Sequence, residues 1–218
     1  MKILILGATG RTGKYLLKEA LNRGFEVNIL VRDSKKVKVK SEKLNIFEGN
    51  SRIIEDLRKA INGCNSTLSA LNISRNSDFP WANLRTPKDF LGKTVQNIID
   101  LNNTNPLEKL IVISAWGVDD TKKNLPFWFR WLVDYSNIKY GYLGHEEQEK
   151  LLQNSDLNWT SVRPVGLTNF EKNEEIQTSQ NNFPKPNLTI SRKSVAQFML
   201  DILVNKLFEN QAVTIFAK

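Results

Sequence analysis

The sequence predicts an α/β fold: a mainly parallel, doubly wound sheet with helices on both faces. Three observations point there. A run of β-branched residues and leucine, Lys2 to Leu6, ends at Gly7 and gives way to helical spacing in Gly13, Leu16, Leu17, Ala20 and Leu21. The same strand-then-helix alternation recurs along the chain, which implies parallel strands joined by helical crossovers. The 218 residues, 40% hydrophobic and 25% charged, suit one domain spanning 1–218 and exclude a disordered or collagen-like chain.

After the first helix, whose end Gly24 marks, Glu26 to Val31 reads as the second strand, Leu44 to Glu48 as the third, Ile53 to Ile61 as a helix and Ser66 to Leu71 as the fourth strand. Thr86-Pro87-Lys88-Asp89 has the chemistry of a helix start: a hydroxyl to cap free amides, proline in the first turn, and an acid at the positive end of the dipole. Lys109 to Ile113 is the fifth strand, ending at Ser114, and Trp159 to Val162 the sixth, ending at Arg163-Pro164. Ile190 adds a short strand, Val195 to Leu203 carries a last amphipathic helix, and Ala212 to Phe216 closes the order as a strand. Asn72 to Leu84 and Asn169 to Leu188 break the rhythm and read as surface loops. Long loops at the carboxyl ends of strands are where open α/β sheets bind ligands, so the expected substrate cleft is formed by loops 72–84, 115–142 and 165–188.

The formal charge is +8, and much of the excess sits between Arg32 and Lys43, where six basic residues face only Asp33 and Glu42. Concentrated in one segment after the second strand, it reads as a solvated basic loop or an attraction for a cofactor phosphate; the expected partner is a small molecule and not a nucleic acid. Cys64 is alone, so no intrachain disulfide forms, and no His and Cys spacing suggests a metal. The chain enters a strand at Met1-Lys2-Ile3 without signal-peptide features, and no uncharged stretch approaches the roughly 20 residues of a membrane span. A cytoplasmic monomer or homodimer, away from membranes, is the expectation.

Gly7-Ala8-Thr9-Gly10-Arg11-Thr12-Gly13 lies at the first strand-to-helix junction. A pyrophosphate there needs backbone amides aimed at it and no side chain in the way. Gly7 allows the tight turn, Gly10 the close approach of a dinucleotide, and Gly13 the packing of helix on strand, while Thr9, Arg11 and Thr12 complete the cradle. This makes the fold Rossmann-type, despite a G-x-x-G-x-x-G spacing. Cofactor choice turns on the residue after the second strand, where an acid would bond a ribose hydroxyl and repel a 2′-phosphate. Arg32 stands there; with Arg11 and Lys35 it favours NADP(H). A one-residue shift would put Asp33 in its place, and a solvated Arg32 is the alternative.

Together with Val31-Arg32-Asp33, Ile113-Ser114-Ala115-Trp116-Gly117 and Trp159-Thr160-Ser161-Val162-Arg163-Pro164, that loop resembles atypical short-chain dehydrogenases/reductases. The likeness is to the NAD(P)H-binding, NmrA-like branch, which includes flavin reductase/biliverdin reductase B-like proteins. The resemblance implies that Asn50 lies near the adenine, where the family often has aspartate. It implies that Ala70 and Leu71 line the cofactor cleft, that Ser114 lies near the nicotinamide, and that Pro164 sits beside that ring. A strand-end hydroxyl bonded to backbone is the plain alternative for Ser114.

The family's Tyr-x-x-x-Lys is absent. Counted from Glu149, His145 holds the lysine position and Gly141 the tyrosine position, while Tyr140 and Tyr142 flank it out of register. Ser114, Tyr142 and His145 are therefore the candidate catalytic groups, His145 because its ordinary pKa lies near neutrality. The aromatic run Pro126-Phe127-Trp128-Phe129-Arg130-Trp131-Leu132 offers either a stacking surface for a flat substrate or a core or dimer-interface helix. The sequence thus supports an NADP(H)-dependent oxidoreductase passing hydride to a flat conjugated acceptor such as a flavin or quinone. A non-catalytic NADP(H) sensor is the competing reading; nucleotide-sugar epimerase or dehydratase chemistry ranks below both.

Overall fold

Among the described residues eight strands form the central sheet, and the alternation of side chains along its first strand explains why both faces are covered. In the computed structural model, which describes residues 1–171 and 174–218, β1 (Lys2–Leu6) sends Ile3 and Ile5 into one hydrophobic core and Leu4 and Leu6 into another. A strand buried on both faces needs helices on both, and the chain supplies them. Helices α1 (Gly13–Asn22) and α6 (Arg192–Asn205) pack on one side. Helices α2 (Ile54–Ile61), α3 (Phe90–Asn102) and α5 (Lys139–Gln153) pack on the other.

The remaining strands of the sheet are β2 (Glu26–Val31), β3 (Leu44–Glu48), β4 (Ser66–Ser69), β5 (Lys109–Ile113), β6 (Trp159–Pro164), β8 (Ile176–Ser179) and β10 (Gln211–Ala217). Their order is β3-β2-β1-β4-β5-β6-β10-β8, every pairing parallel except β10 with β8. A separate parallel pair joins β7 (Gly166–Thr168) to β9 (Thr189–Ser191). The order reverses between β1 and β4, the switch point at which such sheets open a crevice outside the carboxyl ends of their strands.

Three expectations are corrected. Residues 176–179, read as loop, form an edge strand, because Gln177 and Thr178 pair with Phe216 and Ile215 of β10; residues 172 and 173 of the same segment lie outside the described residues. The fourth strand stops at Ser69, so Ala70 and Leu71 follow it. Thr86 does not cap a helix: its hydroxyl oxygen accepts from the Ser74 amide (2.8 Å), and α3 starts at Phe90, after Asp89, whose carboxylate takes the Arg52 guanidinium instead (2.8 Å). A hydroxyl that can serve a loop amide or a helix amide leaves the sequence signal ambiguous.

Candidate functional site

The glycine loop crosses the switch point with little space to spare. Gly7 adopts φ +79°, and a Cβ on it would stand 2.8 Å from the Ala70 carbonyl oxygen, so the ends of β1 and β4 meet backbone to backbone. A Cβ on Gly13 would collide with the Gly7 carbonyl, fixing the start of α1 against the loop. The Gly10 amide donates to Gly7 O (2.8 Å) and the Lys14 amide to Gly10 O (3.1 Å). The amides of Arg11, Thr12 and Gly13 have no protein acceptor among the described residues. Free amides at the positive end of a helix, with no side chain over Gly10, fit a pyrophosphate.

Beyond β2, Arg32 and Lys35 are exposed. Asp33 is engaged locally: its carboxylate accepts from the Lys35 amide (3.1 Å) and pairs with Lys36 (3.4 Å). Asn50 caps its own turn, its side-chain oxygen accepting from the Arg52 amide (3.1 Å) while its amide donates to Asp56 (3.0 Å). Arg11 does not join Arg32; its guanidinium pairs with Asp78 of the 72–84 segment (2.9 Å). Thr12 is buried at the start of α1 and makes no side-chain cap.

Past Ala70 and Leu71 a cavity of about 510 Å³ opens at the carboxyl ends of β5 and β6. It brings together Ser114, Tyr142, His145 and Pro164, with Trp128 and Phe129 of α4 (Phe127–Asp134) as an aromatic wall. Arg75 and Arg192 are the charged residues of its otherwise mostly apolar lining. The aromatic run is not a core helix: of α4 only Val133 is buried, and Phe127, Trp128 and Trp131 are exposed. Gly141 lines the same cavity, and a Cβ there would meet only Asn72 Oδ1 at 3.4 Å, so the position taken by tyrosine in the family pattern is open space here.

Ser114 is buried, and its hydroxyl has no partner among the described residues, although its amide donates to Val162 O (2.7 Å). The strand-end serine therefore does not spend its hydroxyl on backbone. Tyr142 donates weakly to Trp116 O (3.3 Å), and burial pushes its phenol well above the ordinary range, which keeps it protonated near neutrality.

His145 is almost fully buried, in the wall of the cavity. Burial lowers its pKa to about 4 against a weaker opposing pull from Glu149, which keeps the ring neutral. Sequence reasoning missed what orients it. The Gln148 side-chain nitrogen, which can only donate, serves both Ile113 O (2.9 Å) and His145 Nδ1 (3.2 Å). Nδ1 must then accept, which puts the ring proton on Nε2. Glu149, one turn after His145, is buried and grips Arg163 through Nε (3.0 Å) and Nη2 (2.6 Å), with Ser161 donating to the same carboxylate (2.6 Å). The i, i+3 and i, i+4 spacing of Gln148 and Glu149 from His145 was a signal available in the sequence.

Because His145 binds its proton less readily folded (about 4) than unfolded (about 6.5), the unfolded chain takes up the proton first as pH falls. Its contribution is complete above the unfolded pKa and is lost between about pH 6.5 and 4. Urea unfolding at pH 7 and pH 4.5 should show a loss on the order of 2–3 kcal/mol from this residue, absent in His145→Gln. An unchanged pH dependence in the variant would contradict a buried neutral ring.

The topology and the cradle at the first strand end define a dinucleotide-binding α/β protein. The chain belongs to the NAD(P)H-binding family, whose profile it matches over residues 7–206. An uncharacterised chloroplastic protein of Arabidopsis thaliana is 25% identical over 232 residues, covering all of this chain and 77% of the relative. Among solved structures, a short-chain dehydrogenase/reductase of Veillonella parvula in complex with NADP superposes with a TM-score of 0.80 at 18% identity, over 99% of this chain and 94% of that one. An anaerobilin reductase of Escherichia coli O157:H7 superposes at 0.81 with 17% identity, over 100% and 97%. These structural likenesses establish the fold. Among the described residues no helix is long and apolar enough to cross a membrane, and no cluster of metal-ligating side chains is present.

Proposed function

We propose that the protein is an NADP(H)-dependent oxidoreductase of the NmrA-like branch that reduces a flat, conjugated acceptor of the flavin or quinone type. It works as a single cytoplasmic domain, monomeric or homodimeric. The observation that carries this reading is the aromatic-walled cavity at the carboxyl ends of β5 and β6, holding a neutral imidazole and an unpartnered serine hydroxyl in place of a tyrosine-lysine pair. The reduced dinucleotide supplies the hydride, and a quinone that accepts it becomes a hydroquinone with one proton taken from water.

In this reading the loop amides and the N-terminus of α1 hold the pyrophosphate through Gly7, Thr9, Gly10, Thr12 and Gly13. Arg32 and Lys35 take the 2′-phosphate, with Arg11 joining them only by leaving Asp78. Asn50 lies at the adenine end, Ala70 and Leu71 along the middle, and Pro164 against the nicotinamide. His145 Nε2–H and the Ser114 hydroxyl donate to an acceptor oxygen without giving up a proton, so no residue need titrate during turnover.

The test is to mix the protein with NADPH and a panel of flavins and quinones and follow loss of the reduced cofactor. Turnover with at least one acceptor supports the reading. Tight NADPH binding with no consumption across the panel would instead favour the sensor, a reading motivated by Gly141 at the tyrosine position.

Arg32→Ala should weaken NADPH by on the order of tenfold or more and leave NADH little changed, since it removes a charged partner of one phosphate. Equal affinities for both dinucleotides in the unaltered protein would reject the NADP(H) preference. Trp128→Ala should raise the acceptor KM several-fold with kcat nearly constant, as expected for a contact made equally in ground and transition states. A fall in kcat alone would remove Trp128 from the binding wall.

A further inference from the structure

Among the described residues no carboxylate lies within hydrogen-bond reach of the guanidinium groups of the two arginines that line the cavity. Arg75, on the segment after β4, makes no ion pair or hydrogen bond among the described residues, and its Nε is buried without an acceptor. Arg192, at the start of α6 and almost fully buried, spends Nη1 on the Leu167 carbonyl (3.2 Å) and the Asn169 side-chain oxygen (2.8 Å), both neutral. Burial lowers the pKa of each; Arg11 lowers both further and Asp78 acts in the opposite sense on both, so the two arginines, which line one cavity, share the same two charged neighbours. The nearby carboxylates are engaged elsewhere: Asp78 pairs with exposed Arg11, and Glu171 accepts from the Tyr15 hydroxyl (3.2 Å). Leaving a partly desolvated guanidinium without an anion is costly, and a ligand that brings the missing charge recovers that cost on binding.

We propose that Arg75 and Arg192 form a carboxylate-binding subsite, so that the acceptor is a flat conjugated molecule bearing a carboxylate at the end away from the reacting ring. This rests on the function proposed above and narrows its substrate to an acidic one. The planar fork of an arginine suits a carboxylate, and the apolar lining around it strengthens each charge-assisted bond.

The test uses two naphthoquinones identical except that one carries a propionate side chain and the other its propionamide. Binding to the protein saturated with NADP⁺, which cannot reduce them, is measured by calorimetry, so the result does not depend on turnover. The propionate should bind about tenfold or more tightly than the amide. Arg75→Gln should bring the ratio of the two dissociation constants close to one. Arg58→Gln, which removes the same charge from the exposed face of α2, should leave the ratio as in the unaltered protein. Arg192→Lys, which keeps a charge but loses the fork, should reduce the ratio without abolishing it, and is the second variant should Arg75→Gln fail to fold.

Equal affinities for the pair in the unaltered protein would overturn the subsite, as would full discrimination persisting in Arg75→Gln. Loss of NADP⁺ affinity in Arg75→Gln with no discrimination between the quinones would assign the arginine to the dinucleotide and also overturn it. Discrimination in binding with no NADPH-driven reduction of either quinone would keep the subsite and reject the reductase reading, so the two ideas fail separately.

Discussion

Gly10→Val is expected to abolish binding of NADPH and NADH alike, to below detection in a titration, while circular dichroism still shows the native α/β signature. A Cβ at Gly10 would stand 3.1 Å from the Gly7 carbonyl oxygen and meet nothing else within 4 Å, so the loop need give only slightly. The branched methyls, however, would project over the free amides of α1, where a pyrophosphate must make its closest approach. Gly7 and Gly13 are less informative targets, because side chains there run into the backbone of Ala70 and of Gly7 itself and would damage the fold first. Near-normal affinity in Gly10→Val would mean that the dinucleotide does not use this loop.

The second large effect concerns Glu149. Its carboxylate is buried, holds Arg163 by a fork of hydrogen bonds and accepts from Ser161, so it ties α5 to β6 directly beneath the cavity. Glu149→Ala leaves the Arg163 guanidinium with only the half-exposed Asp120 carboxylate (2.7 Å). Breaking a buried pair from one side typically costs about 3–5 kcal/mol, which in a chain of this size lowers Tm by roughly 10 °C. A Glu149→Leu/Arg163→Met double variant should recover most of that loss, since neither charge is then stranded. If the single and double variants melt together, the pair is not what holds α5 in place.

The repeated strand-helix units were legible because periodicity is a local property: Ile3 to Leu6 and Leu16 to Ala20 announce a doubly buried strand and an amphipathic helix whatever lies around them. The glycine loop was legible for the same reason, and the crowding at Gly7 and Gly13 gives its spacing a steric cause. Residues 176–179 were not, since Ile176-Gln177-Thr178-Ser179 becomes a strand only by finding the edge of β10, some 35 residues later in the chain. Arg11 was assigned to a phosphate by position alone, whereas its partner Asp78 comes from a loop whose path no local pattern encodes. At the site, Ser114 and His145 could be named in advance, but the proton on Nε2 depends on Gln148 reaching both Ile113 and the ring, a geometry that exists only after α5 has docked on β5.

The segment from β7 to β9 closes on itself where β7 pairs with β9, and joins the central sheet where β8 pairs with β10. Of its described residues, Ile176–Ser179 meet the central sheet only at its edge and antiparallel to it. Insertions, deletions and substitutions there are expected to reshape the cavity wall near Leu167, Leu188 and Thr189 without disturbing the core. At the opposite side, the glycine loop has backbone within van der Waals contact at Gly7 and Gly13 and tolerates almost no change. The molecule is thus divided into a half that selection must keep and a half that it can rewrite, and divergence in substrate among chains of this architecture should concentrate in the second.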